Sequence, residues 1–218
     1  PIPNLYNRWM ELCNSSTASK LFHFIFPLLV CIPYSASIYS DVESKYIYSI
    51  ITKIDKKKYF LSKLITQFIV GVVIVMFTMV VSFALTAVVL PAGKPIPGLQ
   101  YTANGNSVFG AFFYKHPLIV SILIMLLESV LFSLIGCLSY TFAYVLRNGV
   151  MVIVSAFTIY FFEEVITPLL GVKKPMIGCS YLINLTYNSL VVFIIEIIVV
   201  LAIIACTYFL RIRKKDEL

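Results

Sequence analysis

Residues 64–90 read LITQFIVGVVIVMFTMVVSFALTAVVL, a run without one ionisable side chain. As an α-helix it would be about 40 Å long, more than the roughly 30 Å of hydrocarbon in a bilayer. Its many Val, Ile and Phe residues favour strands in water. In lipid each unpaired backbone group costs several kcal/mol, so desolvation outweighs propensity and the run is expected to be a helix.

The same window finds apolar runs at 21–39, 117–146, 149–167 and 189–210. The sequence therefore predicts an all-α, polytopic transmembrane bundle of five spans, one domain covering 1–218. Pro27 and Pro33 predict a kink in the first run. The third is longer than a membrane needs, which implies tilt or an emerging end. Composition agrees: 60% of residues are hydrophobic and 12% charged, with a mean hydropathy of +0.95. Soluble domains stand near 45–50% apolar and 25% charged.

Charge gives the orientation. Lys45, Lys53, Lys56, Lys57, Lys58 and Lys63 lie between the first two runs, Arg147 in the turn between the third and fourth, and Arg211, Arg213, Lys214 and Lys215 in the tail. Fewer basic residues fall on the other side: Arg8, Lys20, Lys94, Lys115, Lys173 and Lys174. The richer side, with the C-terminus, is expected in the cytoplasm. The net charge of +7 thus serves orientation, and nucleic acid is not an expected partner. Residues 1–20 would lie outside, without a signal peptide to carry them, so a preceding helix is expected to be missing.

Between the first two spans, Ile47, Ile50, Ile51 and Ile54 fall at i, i+3, i+4 and i+7, opposite Ser44, Lys45, Tyr48, Ser49, Thr52 and Lys53. That pattern predicts an amphipathic helix in the cytoplasmic loop 40–63. Asp41 and Glu43 at its start and lysines after it suit the helix macrodipole. Such a helix can rest on anionic lipid, with Lys56, Lys57 and Lys58 among the headgroups, or dock a cytoplasmic partner.

The segment from Asp41 to Lys63, DVESKYIYSIITKIDKKKYFLSK, resembles the coupling segment of the type-two exporter permeases of ATP-binding-cassette transporters. Asp41 and Glu43 match an acidic opening, Ile50, Ile51 and Thr52 a paired aliphatic centre, Lys56 and Lys57 a basic step, and Tyr59 to Lys63 the close. Lys45 stands where the family usually has Gly, and Lys53 where it often has Pro. The order of spans, the short turn at 147–149 and the basic tail resemble the same family, which normally has six spans. The resemblance implies a permease subunit, paired with a second copy or paralogue in the plasma membrane and driven by a separate ATPase chain. Ile47, Ile50, Ile51 and Ile54 would form the ATPase-coupling interface, with Glu43 and Lys56 as rim charges. ATP and Mg would sit on the partner: the chain has no Gly-x-x-x-x-Gly-Lys-Ser/Thr loop. Its Ile-, Lys-, Asn- and Tyr-rich usage resembles that of bacterial chains.

Glu128 and Glu196 lie inside apolar runs, where a carboxylate must be protonated, paired or facing water. Each lines a pathway or bonds a neighbouring helix; for Glu128 the nearby hydroxyls are Ser129 and Ser133. Glu163 and Glu164 raise an alternative, an intramembrane glutamate protease of the CAAX-processing kind. The Arg that should follow is absent, and His23 and His116 sit at span edges. A non-transporting anchor or sensor is the third reading. Cys31, Cys137 and Cys206 lie in apolar runs as small hydrophobes, while Cys13 and Cys179 fall on the outer side, where a disulfide is allowed. The terminal Lys215-Asp216-Glu217-Leu218 mimics a lumenal retrieval signal but falls on the cytoplasmic side.

Overall fold

The computed structural model describes residues 4–9, 17–95, 109–143, 146, 148–169 and 190–208. All regular structure among them is helical: α1 (Leu5–Arg8), α2 (Thr17–Cys31), α3 (Ser37–Glu43), α4 (Tyr46–Ile51), α5 (Lys56–Val89), α6 (Gly110–Lys115), α7 (Pro117–Phe142), α8 (Gly149–Leu169) and α9 (Leu190–Thr207). Among the described residues two helices, Lys57–Val89 and Pro117–Phe142, are long and apolar enough to cross a membrane; Leu21–Cys31, Gly149–Phe162 and Ile197–Thr207 are shorter apolar stretches.

α7 is the hub, packed by α2, α5, α6, α8 and α9. Its buried face is lined by small and polar residues that draw neighbouring backbones close. Ser133 donates to the Phe68 carbonyl on α5 at 2.6 Å, and Ser139 donates to the Val152 carbonyl on α8. Gln67 on α5, wholly buried, donates to the Val30 carbonyl on α2 at 3.0 Å. At the crossing of α2, α5 and α7 two glycines let the helices approach so closely that any side chain there would displace a neighbour. A Cβ on Gly136 would stand 2.6 Å from Gln67 Nε2 and 2.7 Å from Val30 Cγ1, and one on Gly71 would stand 2.5 Å from Ser133 Oγ. This is the small-residue, hydrogen-bonded packing that holds helices together where lipid gives no hydrophobic drive.

α5 is apolar on both sides, so periodicity assigns it no inward face. Packing does. Gln67, Gly71, Val75 and Met79, at four-residue spacing, are buried, whereas Leu61, Ile65, Ile69, Val73 and Phe77 are each close to half exposed or more.

Several boundaries differ from the sequence reading, and α5 starts at Lys56, inside the predicted loop 40–63, rather than at 64. The first apolar run is not one kinked helix: α2 stops at Cys31, two residues before Pro33, and a new helix starts at Ser37. Pro33 brings no N–H and disfavours helical geometry in the residue before it. Pro27, one turn earlier, is accommodated within α2. The third run ends at Phe142 rather than 146.

The ends of the bundle are distinct. At one, Asn4 Nδ2 donates to the carbonyls of Gly93 and Lys94 at 2.8 and 2.7 Å, and buried Trp9 stands edge-on to Phe83 at 5.1 Å. At the other, Phe60 meets Tyr140 and Tyr208 at 5.5 and 5.3 Å, and Gly149 lies against Tyr39. The start of α5, the start of α8 and the end of α9 therefore gather at one end.

Candidate functional site

The loop at that end is a hairpin of two short helices rather than the single amphipathic helix the sequence predicts. α3 ends at Glu43, and Lys45 takes φ 58° and ψ 10°, in the left-handed region, turning the chain before α4 starts at Tyr46. A side chain with a Cβ costs about 1–2 kcal/mol in that conformation, which glycine adopts freely. α4 closes after Ile51, with the N–H groups of Lys53 and Ile54 both donating to the Ile50 carbonyl at 2.9 and 2.8 Å. Asp55 then caps α5, its carboxylate accepting from the Lys57 N–H at 3.2 Å.

The mouth of the hairpin is clamped. Asp41 on α3 and Lys63 on α5 form an ion pair of 2.6 Å, each side chain 18% exposed. Tyr59 donates its hydroxyl to the same carboxylate, and the Lys63 ammonium lies 5.1 Å from the Tyr34 ring centroid and 5.6 Å from that of Tyr59. A half-buried, doubly hydrogen-bonded pair of this kind holds more firmly than an exposed one, which contributes about 0–1 kcal/mol. The acidic opening and the closing lysine of the motif are thus one physical unit.

The four isoleucines divide. Ile47 and Ile50 are half-buried and pack on a cluster of Tyr59, Phe60, Tyr140, Ala143 and Val152, so the apolar face of α4 is covered by its own bundle. Ile54 is exposed, as are Tyr46 and Tyr48. With Glu43, Lys45, Ser49, Thr52 and Lys53, also exposed, they make the surface open to a partner. The side chains of Ile51 and Lys56 lie outside the described ones.

No family model, curated protein or solved structure matches the chain.

A second cluster lies in the core. His23 on α2 and Glu128 on α7 approach to 3.6 Å, with side chains 4% and 0% exposed. Phe26 and Phe132 surround the imidazole, with ring centroids 6.1 and 6.2 Å away. Ser129, weighed as a partner for Glu128, instead donates to the Leu126 carbonyl of its own helix, and Ser133 is engaged by α5. His23, read from the sequence as a span-edge residue, is buried and meets Glu128 in the core. The sequence carried half of the signal, an imidazole and a carboxylate each within an apolar run, and nothing local to say that the two meet. His116, by contrast, is exposed where α7 begins. Glu163 and Glu164 fall in α8 and Glu196 in α9, and their side chains lie outside the described ones, as do Cys13, Cys179 and the terminal four residues.

Proposed function

We propose that the chain is the membrane-spanning permease subunit of an ATP-binding-cassette transporter of the exporter type. α2, α5, α7, α8 and α9 are its five spans, and the α3–α4 hairpin is the element that meets a separate ATPase chain carrying ATP and Mg. The observation that carries the reading is Lys45. It occupies the motif position where the resembled family has Gly, and it adopts φ 58°, the conformation for which glycine would be kept. The clamp between Asp41 and Lys63, at the two ends of the motif, supports it further. So does the extent of exposed aliphatic and aromatic surface on α5, from Leu61 through Ile65, Ile69, Val73 and Phe77 to Val89, a continuous patch that soluble monomers rarely present.

On this reading the partners are the ATPase, a second copy or paralogue of the chain, and membrane lipid. The protein sits in the plasma membrane with the hairpin and C-terminus in the cytoplasm. The contact face consists of Tyr46, Tyr48 and Ile54 with Glu43 at the rim, because Ile47 and Ile50 are taken up by the bundle.

Co-purification in mild detergent tests the proposal. The wild-type chain should retain an ATP-binding-cassette ATPase, and Tyr46→Asp with Tyr48→Asp should lose it while eluting as a folded species in gel filtration. A wild type that retains no such ATPase, under conditions that preserve a known transporter complex, would overturn it.

A further inference from the structure

Lysines at the hairpin end fall into two groups. Lys63 is half-buried and neutralised by Asp41. Lys53, Lys57 and Lys58 are exposed, and among the described residues no carboxylate lies within ion-pair distance of them. The nearest acid in sequence, Asp55, is occupied as the cap of α5.

Their position on the helix gives them a role. Lys57, Leu61, Ile65, Ile69 and Val73 follow one another at four-residue spacing, and Lys58 lies 100° round from Lys57, so Leu61 and Ile65 fall between them. Leu61 is 56% and Ile65 47% exposed. The two ammonium groups therefore stand one turn beyond the start of an outward apolar stripe, the spacing that separates a phospholipid phosphate from its acyl chains. Lys53, just before the cap, adds a third cation at the same end.

We infer that Lys53, Lys57 and Lys58, continued by Leu61 and Ile65, form a binding site for the headgroup and upper acyl chain of an anionic phospholipid. The inference rests on the membrane reading above and deepens it by naming the lipid class. Its chemistry is charge complementarity at the phosphate and an apolar track that a free phosphate does not use. Because Lys57 is in the first turn of α5, which the hairpin joins directly, a lipid held there would also steady the base of the hairpin.

The test is native mass spectrometry of the full chain released from vesicles mixing phosphatidylcholine with phosphatidylglycerol. The wild type should keep phosphatidylglycerol in preference. Lys57→Gln should lower that retention about fivefold, with a similar factor for each further change at Lys58 and Lys53. Lys57→Arg with Lys58→Arg should preserve it, and Lys94→Gln with Lys115→Gln, at the opposite end, should leave it unchanged. Retention by the triple glutamine variant equal to wild type would overturn the site, as would an equal loss in the Lys94/Lys115 pair. Release of the lipid by inorganic phosphate alone would overturn the lipid assignment in favour of a simple anion site. Failure of the wild-type chain to enter vesicles would instead break the membrane reading itself.

Discussion

Among the described residues two pairs of ionisable side chains tie this bundle together, and they differ in what surrounds them. Asp41 and Lys63 meet at 2.6 Å at the rim, each 18% exposed, with a tyrosine hydroxyl and two aromatic faces completing the shell. Glu128 and His23 stand 3.6 Å apart in the core, out of reach of solvent. At the rim, water can solvate whichever partner is left when the other is removed. In the core it cannot, so the penalty for breaking the pair greatly exceeds what the pair itself contributes. The rim pair shapes a surface; the core pair joins α2 to α7.

The largest expected effect breaks the core pair. Glu128→Ala or His23→Ala should destabilise the detergent-solubilised chain by about 3–5 kcal/mol, read as thermal unfolding, because each removes one side of a buried polar contact between α2 and α7. The double change to His23→Phe and Glu128→Leu should recover much of that loss; an additive double variant would contradict the account. Next comes the helix crossing below it. Gly136→Leu should cost about 1–3 kcal/mol or more by the same assay, since its Cβ alone would stand 2.6 Å from Gln67 Nε2. At the rim, Asp41→Asn should cost less, about 1.5 kcal/mol. Exchanging the pair as Asp41→Lys with Lys63→Asp should restore part of it, which protease accessibility of the hairpin would reveal. The smallest effect has the opposite sign. Lys45→Gly should stabilise the hairpin by up to about 1 kcal/mol, a few degrees in melting temperature, by relieving the left-handed backbone.

These pairs also mark where sequence reading reached its limit. The long apolar helices α5 and α7 were legible because a run like 64–90 has no other low-energy form once water is excluded. Pro33 announced a disturbance but not its size: a proline can bend a helix or end it, and the neighbouring packing decides. The hairpin was legible as amphipathic, but its direction was not. Periodicity identifies an apolar face without saying what covers it, and Tyr59, Phe60 and Tyr140 compete with any outside partner for Ile47 and Ile50. Nor does periodicity show a break at Lys45, whose side chain gives no hint of positive φ. His23 and Glu128 lie too far apart in sequence for any local rule to join them.

A hairpin that is a cytoplasmic docking surface on a membrane-spanning bundle can be reached by an impermeant probe from one side only. Ser49 is exposed on α4, and Ser49→Cys can be labelled with a membrane-impermeant maleimide against a background lacking the native cysteines. Labelling is expected in inverted but not right-side-out membrane vesicles, with protection in inverted vesicles that retain the partner ATPase. Labelling from the outer face, or equal labelling with and without the ATPase, would contradict the docking assignment.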